Sequence, residues 1–185
     1  MKKISVLVLA LVFVFAVCSL ASAQNFMEDG QFVVKMGMDF NGEMSGDGAD
    51  ENVDSAMTIS GEYLVPYQND MELGVGLSYQ MERKLTDMEE FKFNFTPVYG
   101  VAKMSTEMGN YSPYFMGQVG YNLFNVDIDG EGDVDTENGL YYGFGAGMEI
   151  SENLNAEVLY SVNNGKIEGD EVEYSSIRAG VSFAF

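Results

Sequence analysis

The sequence predicts an all-β fold, an eight-stranded antiparallel up-and-down barrel that crosses a membrane. Three observations lead there. The segment from Ile177 to Phe185 alternates apolar Ile177, Ala179, Val181, Phe183 and Phe185 with Arg178, Gly180, Ser182 and Ala184, which gives a strand one wholly apolar face and one face of small and charged residues. The same period of two recurs along the chain, while helical 3.6-residue periodicity does not. Finally, the faces opposite the apolar ones carry Lys35, Asp39, Glu62, Glu72, Glu82, Lys92, Glu149, Glu157 and Arg178. A hydrated lumen tolerates such charges, whereas an unpaired ion in a dry core does not survive the desolvation penalty.

At the amino-terminal end, Lys2 and Lys3 precede an apolar run from Ile4 to Val17, and Ala21-Ser22-Ala23 offers a small-x-small cleavage site. Residues 1–23 are therefore expected to be a signal peptide and residues 24–185 the barrel domain. The apolar run is shorter than the roughly 20 residues a membrane-spanning helix needs. Cys18, the only cysteine, lies within it, and the β-branched Val17 before it argues against a lipoprotein signal. Disulfides and thiolate metal sites are thereby excluded after cleavage. Loss of Lys2 and Lys3 takes the formal charge from −20 to −22, which makes nucleic acid and anionic lipid unsuitable partners.

Eight segments follow in one phase. Their outward positions are predicted as Phe32, Val34, Met36, Met38 and Phe40; then Met57, Ile59, Gly61, Tyr63 and Val65; then Met71, Leu73, Val75, Leu77, Tyr79 and Met81. The fourth set is Phe91, Phe93, Phe95, Pro97, Tyr99 and Val101, in which Pro97 cannot donate a ladder hydrogen bond. Phe115, Gly117, Val119, Tyr121 and Leu123 form the fifth, and Leu140, Tyr142, Phe144, Ala146, Met148 and Ile150 the sixth. The seventh is Leu154, Ala156, Val158, Tyr160 and Val162, and the eighth is the segment that ends at Phe185. None of these positions is charged, and the aromatic ones gather toward the two strand ends, as interfacial girdles do.

The links differ in length. Pro66 to Asp70 and Ser151 to Asn153 are short, whereas Gly42 to Asp54, Val126 to Asn138 and Asn163 to Glu173 are long and acidic. Short turns belong in the periplasm and long loops outside, so both termini are expected on the periplasmic side. Arg83 to Met88 is short for an outer loop, and Ala102 to Asn110 long for a periplasmic turn.

With these features the chain resembles the small OmpX/OmpA-like outer-membrane β-barrel family. Arg178-x-Gly180-x-x-Phe183-x-Phe185 is similar to the polar-x-Gly-x-x-apolar-x-aromatic insertion signal such families present to the barrel-assembly machinery. Ser112-Pro113-Tyr114 through Gly117, Gly120, Tyr121 and Asn122, and Gly143-Phe144-Gly145-Ala146-Gly147, share the likeness. The resemblance implies residence in the outer membrane of a Gram-negative-type bacterium, in contact with its lipid. With nothing after Phe185, it implies no peptidoglycan-binding domain.

Histidine is absent, which removes the commonest general base and the usual activator of a serine nucleophile. No catalytic residue and no cofactor is expected, and a lipid-modifying enzyme ranks last. Lys35 with Glu62, Asp39 with Arg178 and Glu82 with Lys92 fall at similar depths and are predicted to pair across the lumen and block it, because an eight-stranded interior is just wide enough for side chains to fill. A narrow porin for small solutes is the alternative, and Leu64, Val98, Met116 and Leu159 argue against its polar path. Asp127, Asp129, Glu131, Asp133 and Asp135 follow the spacing of a calcium loop, but Asn138 stands where a bidentate Glu is needed. The expected role of these acidic loops is weak binding of calcium or other divalent cations, or of an extracellular ligand. The reading at this point is a structural or surface-interaction barrel.

Overall fold

A computed structural model describes residues 30–46, 49–68, 70–86, 88–106, 112–128 and 134–185. The predicted signal peptide and the loop residues Asp129, Glu131 and Asp133 lie outside this set. The chain forms nine strands: β1 (Gln31–Gly46), β2 (Ala49–Val53), β3 (Ala56–Gln68), β4 (Met71–Leu85), β5 (Met88–Ser105), β6 (Pro113–Ile128), β7 (Thr136–Ser151), β8 (Leu154–Ile167) and β9 (Asp170–Ala184). All neighbours are antiparallel, and β1 pairs with β9 to close one ring.

The ninth strand does not add a stave. Gly42↔Val53 on β2 and Asp39↔Ala56 on β3 continue one register along β1, so β2 and β3 are a single stave interrupted only at Asp54 and Ser55. Thr86 and Asp54 stitch the break to β4, the Thr86 hydroxyl donating to the Asp54 carboxylate at 3.2 Å. The barrel thus has eight staves.

The periodicity holds for most strands. Phe32, Met36, Met38, Leu77, Phe115, Val119, Phe144, Val158 and Val181 are exposed on the outer wall, as a lipid-facing surface requires. Strand β5 is the exception, and its predicted phase is reversed. Phe93, Phe95, Tyr99 and Val101 are buried in the lumen, and Lys92, Asn94, Thr96 and Val98 take the other face. The cause is packing: Phe95 stacks on Phe124 at 4.5 Å and meets Tyr174 at 5.8 Å, with Phe93 edge-on to both Phe124 and Tyr174. An apolar face on a barrel strand can serve a dry lumen layer as well as lipid, and alternation alone does not separate the two.

The long outer links are also corrected. Gly42 to Asp54 is mostly strand, the end of β1 folded back as β2. Asn163 to Glu173 continues β8 into β9 through the two residues Glu168 and Gly169, whose φ angles of 53° and 100° suit the primed turns that join twisted strands. Acidic and Asn/Gly-rich sequence, read as loop, continues the ladder here because its side chains stand above the membrane in water. Bulges adjust the phase, among them one at Asn41, with φ of 50°, one on β4 between Gln80 and Arg83, and one on β7 between Asn138 and Tyr141.

Close approach inside the barrel requires small residues at particular points. A Cβ on Gly76 would sit 2.5 Å from the Tyr99 ring, whereas one on outward-facing Gly117 would meet nothing within 4 Å. Gly76→Val is therefore expected to lower unfolding free energy by about 1–3 kcal/mol, and Gly117→Ala to change it by less than about 0.5 kcal/mol. Urea titration of the detergent-folded protein checks both.

Candidate functional site

The lumen is where the charged side chains converge, and it is built in layers. At the end of the barrel where β1 begins and β9 finishes, Lys103 Nζ lies 3.0 Å from Glu72 Oε2 and 4.4 Å from the centre of the Tyr114 ring, and Gln31 donates to the same Glu72 carboxylate.

Above it stands Lys35, with its Nζ 3.1 Å from both Glu62 Oε2 and Glu157 Oε2. Each carboxylate is also held by neutral donors. Tyr99 OH and Gln118 Nε2 donate to Glu62 Oε1 at 3.0 Å, Tyr141 OH donates to Gln118 Oε1 at 2.6 Å, and Tyr114 OH donates to Glu157 at 3.1 Å. Glu62 is 1% exposed, so these bonds replace the water it has lost. A void of about 10 Å³ is lined by Lys35, Thr58, Ser60, Gln118, Glu157 and Arg178 among others.

Asp39 centres the third layer. Arg178 Nε donates to its Oδ1 at 2.6 Å and Arg178 Nη2 to its Oδ2 at 3.3 Å, while Thr58 donates to Oδ2 at 2.7 Å. Arg83 pairs with the same Oδ2, gives a second hydrogen bond to the Met81 carbonyl at 3.1 Å, and lies with its guanidinium 5.1 Å from the centre of the Tyr174 ring. Tyr174 begins the outermost layer, an aromatic cap in which Phe93, Phe95 and Phe124 pack with Met44, Val53 and Leu85.

Of the predicted pairs, Lys35 with Glu62 and Asp39 with Arg178 are therefore brought together. Glu82 and Lys92 are not lumen residues. The β4 bulge turns Glu82 out to an exposed position and places Arg83 inside, and the reversed phase of β5 puts Phe93 inward where Lys92 was expected. Arg83, Lys103 and Glu157 were missed as pairing partners, the first two because they had been assigned to links. One signal could have found them: the predicted inward set holds more acids than bases, and buried charges demand balance. Among the described residues, the paired lumen bases Lys35, Arg83, Lys103 and Arg178 equal in number the acids Asp39, Glu62, Glu72 and Glu157. Among the described residues no group of three or more acidic side chains is placed to hold a metal; Asp135 is exposed at the start of the segment leading into β7. Arg178, Gly180, Phe183 and Phe185 lie along β9 or just beyond it, where the Phe185 amide donates to the Phe32 carbonyl at 2.9 Å across the closing seam.

A model of the outer membrane protein β-barrel domain matches residues 10–185. Among solved structures, Neisserial surface protein A aligns with a TM-score of 0.61 at 18% identity, covering 85% of this chain and 100% of that one. Ail, the attachment invasion locus protein of Yersinia pestis, gives 0.55 at 16%, covering 84% and 99%. The outer membrane protein OprG from Pseudomonas aeruginosa gives 0.52 at 14%, covering 85% and 96%. At these identities the likeness is one of fold. No curated protein matches the chain by sequence.

Asp39→Asn, which leaves two buried guanidiniums without their carboxylate, is expected to cost about 3–5 kcal/mol of stability. Arg83→Met costs less because Arg178 still holds Asp39, and Glu82→Gln stays within about 0.5 kcal/mol. Equal losses for Glu82→Gln and Arg83→Met in urea titrations would show the bulge assignment to be wrong.

Proposed function

Because the chain belongs to the outer membrane protein β-barrel domain family and resides in the outer membrane of a Gram-negative bacterium, we propose that it is a non-catalytic structural and surface-interaction barrel whose lumen is closed. The observation that carries this reading is the filled interior: matched ion pairs from Glu72 to Asp39, then a dry aromatic cap across the outer end. Ions would have to break those pairs and wet the cap to pass. In a planar bilayer the purified protein is expected to show no large, steady, voltage-independent conductance; if it does, the porin reading takes its place.

Function then rests on the outer rim. Both termini face the periplasm in this reading, and Glu51, Glu168, Asp170, Glu171 and Glu173 stand at the outer strand ends with Lys166, which is 3.8 Å from Glu171. The Ail structure solved with the heparin analogue sucrose octasulfate shows a related barrel holding a polyanion; an acidic rim would repel one. It suits cationic partners, or divalent cations bridging to lipid phosphates, with Asp127, Asp129, Glu131, Asp133 and Asp135 adding to the charge. Calcium titration calorimetry should give weak heat that falls in Asp129→Asn/Asp133→Asn; no heat from the wild type would remove the cation role.

Two further steps complete the reading. Cleavage after Ala23 starts the mature chain at Gln24, and the barrel-assembly machinery reads Arg178, Gly180, Phe183 and Phe185. Loss of the Phe185 side chain in Phe185→Ala is expected to lower the heat-modifiable, folded fraction in outer-membrane preparations several-fold, with stability of the protein refolded in detergent little changed.

A further inference from the structure

At the end of the barrel away from the termini, the apolar cap forms the floor of a cup. A cavity of about 270 Å³ opens there, with Met44, Leu85, Ile167 and Val172 as its apolar lining and Glu51, Glu168, Asp170 and Glu171 as its polar one. Met44 and Leu85 are buried members of the cap, while Ile167 and Val172 pack against it with part of their surface uncovered. Three of the four carboxylates are exposed and Glu51 is half-buried, so the apolar groups lie at the bottom and the charges at the mouth. The register shows which acids share the inner face. Glu51 on β2 is the cross-strand partner of Met44, and Asp170 on β9 is that of Ile167; cross-strand partners stand on one side of a sheet. Glu171 takes the other side with Lys166, 3.8 Å away. Among the described residues, neither Glu51 nor Asp170 has an ion pair or a side-chain hydrogen bond.

We propose that this cup binds a small primary amine with an apolar tail, the tail resting on Met44, Ile167 and Val172 and the ammonium among the carboxylates of Glu51, Glu168 and Asp170. The placement of the groups selects the guest. With apolar surface below and charge above, a guest must enter tail first. A lysine side chain carries its charge at the tip and would press an ammonium onto the floor, away from its counter-ions, at a desolvation cost. A polyamine is charged at both ends and a metal ion has no tail, so neither uses the floor. An anion meets four carboxylates and no base in the lining. An ammonium suits the mouth because it offers three donors, each able to make a charge-assisted bond to a carboxylate.

The walls are fixed before a guest arrives. On one side the β8–β9 hairpin turns through Glu168 and Gly169 alone and holds its register from Ile167↔Asp170 downward. On the other, the Asp54 amide donates to the Lys84 carbonyl at 3.0 Å and the Thr86 amide to the Asn52 carbonyl at 2.9 Å, which ties β2 to β4 beside Leu85. A cavity formed in advance spares the guest the cost of ordering its site. Its volume falls just below the roughly 300 Å³ at which pockets for drug-sized molecules begin, so the guest is small. The inference deepens the surface-interaction reading and rests on it, since it names a partner for the acidic outer rim.

Methyl NMR of the full barrel in lipid nanodiscs, with labelled methionine and phenethylammonium as the probe, tests it. The Met44 methyl is expected to shift saturably as the ring settles on it, whereas Met36 and Met38, exposed on the lipid face, report only unsaturated partition into the bilayer. Phenethyl alcohol, which lacks the charge, and putrescine, which lacks the tail, should each bind at least about ten-fold more weakly, the equivalent of one lost charge-assisted contact or the buried tail. Glu51→Gln/Asp170→Asn should weaken the amine by a similar factor, and Val172→Thr, which leaves the charge alone, by several-fold. Equal binding of the alcohol, undiminished binding in either variant, or Met44 shifts that merely follow those of Met36 would overturn the proposal. Its failure is separable from that of the reading beneath it. Calcium heat without saturable Met44 shifts would fail the amine site alone, and steady conductance with those shifts intact would fail only the closed lumen.

Discussion

The structure depends on one carboxylate. Asp39 on β1 is bound by Arg178 on β9, Thr58 on β3 and Arg83 on β4, so a single buried anion joins the staves on both sides of the closing seam. Sliding β9 against β1 by one residue would turn Arg178 to the lipid and strand Asp39 inside. The cost of that error is far larger than the gain from any one pair, because an unmatched buried charge is penalised more heavily than a matched one is rewarded. The ion cluster therefore acts as a register lock, and the lipid-facing alternation of every other stave follows from where it places the seam.

Much of this was legible in the sequence, for a physical reason. Lipid and water on opposite faces impose a strict two-residue period, and β1, β3, β6 and β9 obey it along most of their length. Asp39 with Arg178 and Lys35 with Glu62 could be paired by depth because an antiparallel ladder converts sequence position into height. What could not be read is where the period breaks. The β4 bulge that buries Arg83 has no glycine or proline to mark it. The aromatic run of β5 fits lipid and lumen equally well until its partners Phe124 and Tyr174 are known, and those are distant in sequence. Polar outer strand ends such as Asn163 to Glu173 read as loop because their solvated side chains carry no apolar stripe.

The two halves of the lumen solve the problem of a filled barrel differently. Toward the periplasm, tyrosines and glutamines complete the shells of carboxylates, so each ion is paired and hydrogen-bonded. Toward the outside, Phe93, Phe95 and Phe124 stack without polar side-chain atoms, and Arg83 over Tyr174 is the joint between the two regimes. A guanidinium suits that joint, because its edges bond to oxygen while its face rests on a ring.

The one-for-one matching of lumen charges has an effect on the membrane plane. Since the buried lumen charges among the described residues sum to zero, the acidic surplus of those residues is carried by exterior surfaces. Screening confines its field to about 8 Å at physiological salt, roughly the width of a lipid headgroup. Copies of the protein therefore repel one another only when nearly touching. The acidic surplus of one barrel thus acts on the lipids beside it and fades before it reaches a barrel farther off.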